Sequence, residues 1–192
     1  MVRRLLKQFG LFLGMVAALP GVICCRLTGH IGTFRSFAEV YSLVPGLAGK
    51  LSRAGFYHLT LAKCPLNLNI GIYSKMNYPE TEVGDGVMIG AYCSIGLVTF
   101  GDHAGCAERT TILSGQSQHN FQDPNRLVLS ESNEPTRVHI GYDTHIGAGC
   151  IIMANIGKKC LVGPGSVVVN EVLDGTIVVG NPARLVKKRE LE

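Results

Sequence analysis

Residues 140–168 read IGYDTHIGAGCIIMANIGKKCLVGPGSVV, and the spacing of the apolar residues in this stretch decides the fold. A β-branched residue returns near every sixth place, at Ile140, Ile146 and Ile152 and again at Ile156, Val162 and Val168. Glycine follows four of them, as Gly141, Gly147, Gly157 and Gly163. An α-helix repeats its apolar residues three and four apart, and a half-buried strand repeats them two apart. A period of six matches neither and predicts a solenoid with three short flat faces per turn.

The same rule extends upstream through Val83, Ile89, Ile95, Phe100, Cys106 and Ile112. Four places after each lead stand Val87, Cys93, Thr99, Ala104, Thr110, Thr144, Cys150, Cys160 and Ser166. Nearly all are small. Both positions are predicted to point into a narrow prism, where a branched side chain fills the middle of a face and only a small one fits beside a corner. The glycines behind the leads are expected to supply positive φ at the turns. The spacings from Ile95 to Phe100 and from Ile152 to Ile156 are short, which reads as adjustment at a corner. Residues 64–82, with LNLNIGIYS, read as a first, irregular coil that shields the apolar end of the prism. The solenoid then has about five coils.

The chain has 192 residues, 46% of them hydrophobic and 17% charged, with net charge +4. That is enough for one sizeable core and too apolar for disorder. No basic stripe interleaved with aromatic residues is present, so nucleic acid is not an expected partner. Three of the seven cysteines occupy the small-residue slot, which marks them as core packers in a reducing compartment.

The N-terminus carries Arg3, Arg4 and Lys7 and then runs uncharged from Phe9 to Cys25, interrupted by Pro20-Gly21. An interfacial helix and a membrane span are both open readings, and a secretory signal peptide is the rival. Residues 41–63 form a second amphipathic stretch. Leu47, Leu51, Ala54 and Leu61 share one side of a helix, and Lys50, Arg53 and Tyr57 another. Such a helix lies on an anionic membrane or packs on the end of the solenoid. The expected organisation is 1–63 apolar and amphipathic helices, 64–175 an all-β parallel β-helix with an inserted loop at about 115–137, and 176–192 a tail.

The insertion is LSGQSQHNFQDPNRLVLSESNEPTR, polar and placed between two regular halves. Segments of this kind in compact domains usually serve function. Its one histidine is His119. The repeat, this loop and the terminal GTIVVGNPARLVKKR together resemble the left-handed β-helix acyltransferases, the hexapeptide-repeat family of galactoside, maltose, serine and streptogramin acetyltransferases. The likeness covers about residues 65–189 and is strongest to the colanic acid type of cell-surface polysaccharide O-acetyltransferase.

What the resemblance implies is a homotrimer with acetyl-CoA as co-substrate in the groove between neighbours, and no metal. His119 would be the general base; by proximity in sequence Glu108 and Asp123 are candidates for its orienting partner and for lining the substrate, with a backbone carbonyl as an equal alternative for the partner. His145 would line the site where many relatives carry Trp. Pantetheine would run beside the main chain of Ala148, Gly165 and Ser166, where Pro164 replaces the alanine of many relatives. Arg184, Lys187 and Lys188 would meet the CoA phosphates. Since the acyl donor is cytosolic, the N-terminal run reads as an uncleaved anchor at the inner face of the cell membrane. The expected acceptor is a sugar hydroxyl of a cell-surface or exopolysaccharide precursor, and a soluble serine or small-molecule O-acetyltransferase is the alternative. The same fold also serves zinc-dependent carbonic anhydrases of the γ class, for which His103, His139 and His145 are candidates. His139 and His145 stand six apart, hence on different faces, and cannot share one ion within a subunit. A non-catalytic assembly protein is a third reading, and it would not require His119.

Overall fold

The computed structural model describes residues 2–115 and 134–189, with side chains from residue 9 onward. Three helices come first: α1 (Val2–Thr28), α2 (Ile31–Leu43) and α3 (Gly46–Thr60). Fifteen short strands follow, and their pairing winds the chain around three faces.

The first coil carries β1 (Asn69–Ile70), β2 (Lys75–Met76) and β3 (Glu82–Val83). The second has β4 (Met88–Ile89), β5 (Ser94–Ile95) and β6 (Val98–Phe100). The third has β7 (Gly105–Cys106), β8 (Thr111–Ile112) and β9 (Val138–Ile140). The fourth has β10 (His145–Ile146) and β11 (Ile151–Ile152), and the fifth has β12 (Leu161–Val162) and β13 (Val167–Val168). Single bridges at Ile156 and Val172 complete their third sides. β14 (Thr176–Val179) begins a further rung, and β15 (Arg184–Lys188) turns back on it antiparallel.

Strands on the same face of successive coils pair in parallel, giving one face ordered β1-β4-β7-β10-β12-β14, with the antiparallel β15 at its end, a second ordered β13-β11-β8-β5-β2 and a third ordered β3-β6-β9. The lead residues therefore stack in three columns. Ile70, Ile89, Cys106, Ile146, Val162 and Val178 form one. Met76, Ile95, Ile112, Ile152 and Val168 form the second. Val83, Phe100, Ile140, Ile156 and Val172 form the third. All are buried. Burying each large apolar side chain contributes roughly 1.5–3 kcal/mol, which fixes the register of every rung.

Two details differ from expectation. The glycines after the leads do not supply positive φ. They are the sites of closest approach between coils: a Cβ on Gly141 would stand 2.4 Å from the carbonyl carbon of Gly157 one coil on. The left-handed residues come two places later and include Tyr73, Tyr92, His103, Arg109, Asp143 and Lys159. The five-residue step from Ile95 to Phe100 also moves the inward slot to Val98, which is fully buried. Thr99 faces outward and accepts a hydrogen bond of 3.1 Å from Arg137.

The helices, rather than the first coil alone, close the N-terminal end of the prism. Phe34, Tyr41, Phe56 and Tyr57 form an aromatic plug with ring centroids 5.0–6.4 Å apart. The Tyr57 hydroxyl accepts the Met76 N–H at 3.1 Å. Arg53 is 3% exposed and donates to the carbonyls of Val44 (2.8 Å), Tyr41 (3.2 Å) and Ile70 (3.2 Å). Arg53 and Tyr57 thus face the solenoid, Gly55 meets Gly14 of α1, and residues 52–57 are all buried, so α3 caps the solenoid. At the other end, the tail expected from residue 176 begins as a solenoid rung and leaves it only after Val179.

Candidate active site

The insertion leaves and re-enters the solenoid between β8 and β9. Thr136 N–H bonds to the Ser114 carbonyl at 3.0 Å, closing the base of the excursion. Arg137 then fastens the returning strand, donating to the Glu80 carbonyl at 2.8 Å with the Glu82 carboxylate 3.8 Å away. His119 and Asp123 lie outside the described residues.

Beside this root lies a polar groove of about 360 Å³, lined by Arg35 of α2 and by Lys75, Asn77, Tyr78, Ser94 and Ser114 of the coils. Most polar groups in it are held. The Asn77 amide donates to Ser94 Oγ (3.3 Å) and to the Ile95 carbonyl (3.1 Å). Arg35 donates to the Asn77 carbonyl at 3.0 Å, and its guanidinium sits 5.1 Å from the centre of the Tyr78 ring. Lys75 hydrogen-bonds Glu39, and that bond and the ammonium charge hold the Glu39 carboxyl below its usual range. The groove thus presents two cations and several hydroxyl or amide groups to a polar ligand. Sequence reading missed it, since Arg35 reaches it from a helix some forty residues upstream with no periodic signal.

The other expected site residues gather elsewhere. Glu108, Ala148 and Gly165 stack on consecutive coils at the corner between the faces of β7 and β8. Gly149 N–H bonds to the Glu108 carbonyl (2.9 Å), and Gly165 N–H bonds to the Ala148 carbonyl (2.8 Å). Glu108 and Ala148 are exposed. His145 is exposed on β10, three residues before Ala148. The Ser166 side chain is fully buried; its hydroxyl donates to the Gly163 carbonyl (2.6 Å) and accepts from Gly180 N–H (3.1 Å). Its main-chain carbonyl also accepts the Ile151 N–H (2.9 Å), so Ser166 is built into the coil. Arg184, Lys187 and Lys188 are exposed on β15, with Arg184 opposite Val179 and Lys187 opposite Ile177. His139 lies on β9 and His145 on β10, on separate faces, while His103 packs edge-on against Tyr142.

Glu108 and the loop root therefore flank opposite edges of the β2-β5-β8-β11-β13 face. The structure joins Glu108 to Ala148 and Gly165 and sets all three apart from the groove at Ser114.

No protein-family model matches the chain. It is 28% identical over 116 residues to a "probable acetyltransferase" of Mycobacterium tuberculosis, covering 59% of this chain and 32% of that protein. It spans 27% to 56% of the length of the curated relatives it matches. Among solved structures it superposes on a maltose O-acetyltransferase from Clostridium difficile 630 with TM-score 0.75 and 23% identity, over 86% of this chain and 89% of the other. An N-acyltransferase from Bacillus cereus, crystallised with dTDP and 3-hydroxybutyryl-CoA, superposes with TM-score 0.54 and 21% identity over 69% of this chain and 85% of that one. Solenoids of opposite hand would not superpose in this way, so this chain coils in the same sense as both. Its architecture is the fold that these two structures share.

Proposed function

We propose that this protein is an acyl-CoA-dependent O-acyltransferase that moves an acetyl group to a sugar hydroxyl, with His119 as general base. The observation that carries the reading is the place where the inserted segment joins the coils: Ser114, bonded to Thr136, lines a polar groove in a fold shared with a maltose O-acetyltransferase.

A neutral alcohol attacks a thioester poorly, so the reaction needs a base within hydrogen-bond distance of the acceptor hydroxyl. The imidazole takes that proton as the oxygen bonds to the thioester carbonyl carbon. A main-chain N–H holds the tetrahedral oxyanion, worth about 3 kcal/mol. Collapse breaks the C–S bond, and the imidazolium returns the proton to the CoA thiolate, leaving an acetyl ester and free CoA. The groove's cations and amides suit a polyhydroxylated acceptor. The exposed corner at Ala148 and Gly165 suits pantetheine, and Arg184, Lys187 and Lys188 suit its phosphates. Corner and groove lie on opposite edges of one face, which favours a site shared between two copies, as in a trimer. The acceptor class is a precursor of cell-surface polysaccharide, met at the inner face of the cell membrane.

The test is acetyl transfer to a panel of sugars, read as CoA thiol release. His119→Ala is expected to lose about two orders of magnitude or more in turnover with an unchanged melting temperature. Equal turnover in the variant removes His119 from the chemistry, and absence of thiol release with every acceptor removes the acyltransferase.

A further inference from the structure

Along α1 the exposed positions from Phe9 to Cys24 carry only apolar side chains, with Cys24 the one thiol among them. Phe9, Phe12, Leu13, Val16, Leu19, Ile23 and Leu27 are each 43% to 81% exposed. At 100° per residue they fall in one stripe about 120° wide that runs the length of the helix. A helix facing water would hold charges there, and a soluble monomer rarely leaves so long an apolar face bare.

The segment Phe9–Thr28 is long and apolar enough to cross a bilayer. Its opposite side, however, is fastened to the rest of the molecule. A Cβ on Gly14 would stand 2.4 Å from the Leu51 carbonyl oxygen, and one on Gly55 would stand 2.7 Å from the Gly14 main chain. The Tyr41 hydroxyl donates to the Ala18 carbonyl at 3.1 Å. A bilayer around all sides of α1 would draw α3 in with it, along with the exposed Lys50 and the buried guanidinium of Arg53. A charge at that depth costs several kcal/mol. Pro20 also has no N–H to give the Val16 carbonyl, a loss more easily tolerated near headgroup water than in hydrocarbon.

Charge selects the lipid. Residues 1–28, the span of α1 with Met1, contain Arg3, Arg4, Lys7 and Arg26 and no Asp or Glu. We infer that α1 is an in-plane foot: it lies along an anionic membrane surface with its apolar stripe sunk at the boundary of headgroups and acyl chains and its glycine side fastened to α3. This deepens the membrane attachment proposed above and does not depend on the chemistry at His119.

Flotation of the full chain with sealed vesicles tests it. Binding is expected to vesicles of phosphatidylcholine with phosphatidylglycerol, and to fall about tenfold or more on phosphatidylcholine alone. Val16→Glu combined with Ile23→Glu should abolish flotation while thiol release with a soluble sugar stays intact, which separates this inference from the proposed activity. Orientation is read with Cys24 and Cys25 replaced by Ser and a single cysteine placed by Arg3→Cys or Thr28→Cys. Both sites should react with an impermeant maleimide added outside. Protection of one site would mean a span. Failure to float, or a change of oligomeric state in the double variant without any flotation of the parent, would assign the stripe to another partner. Any of these results overturns the inference.

Discussion

Lys159, half-buried, holds φ at +55°, and Asp143, exposed, holds +51°. Left-handed backbone costs an L residue roughly 1–2 kcal/mol, while glycine loses about 0.5–1 kcal/mol through the entropy of the unfolded chain. Lys159→Gly should therefore be neutral or slightly stabilising. Lys159→Val, β-branched at a position where such residues are outliers, should cost about 1–2 kcal/mol and lower the melting temperature by several degrees. Calorimetry of the three proteins gives the order. The inward positions were legible in the sequence because packing leaves one choice there: a branched lead and a small partner, repeated. The placement of positive φ was not, because the turn tolerates six different non-glycine residues among the described coils, and the glycines mark crowding between coils instead.

The helical cap rests on one buried cation. Arg53 has three carbonyl partners. Burial lowers its pKa without discharging it. Arg53→Met keeps much of the volume and strands those carbonyls, so a loss of about 3 kcal/mol or more is expected in denaturant titration. Cys64, at the join of cap and coil, is buried, and burial alone pushes its thiol from 9.0 up to about 12. In the unfolded chain that thiol ionises near pH 9, whereas in the fold it stays neutral. Its contribution is therefore whole below pH 9 and is lost as pH climbs from 9 toward 12, by up to about 4 kcal/mol. The fall in melting temperature across that window should be shallower in Cys64→Ala. That a helix lies over 46–60 was readable from its apolar spacing. Which side it buries was not, because a satisfied buried arginine looks in sequence like an exposed one.

For the molecule as a whole, the loop root and the corner at Ala148 lie on opposite edges of one face, and the proposed site shared between two copies can be tested by complementation. Mixing His119→Ala with Ala148→Trp and refolding them together should recover about a quarter of wild-type turnover, the share of junctions that pair an intact loop with an intact corner in a closed ring. Recovery near zero would confine the site to one chain. The fold and the break in it were visible from the period alone. The polar groove was hidden, since Arg35, Asn77, Ser94 and Ser114 meet only after the helices have docked and three coils have stacked.

The antiparallel turn of β15 against β14 has a consequence for how these molecules keep apart. A ladder of parallel rungs ends in unsatisfied main-chain groups, an invitation for the next rod to add on and for a filament to grow. By folding back, the segment Arg184–Lys188 occupies that open rung on the longest face and sets cations along its outer rim. Addition of a further rung to the outer edge of β14 is blocked there.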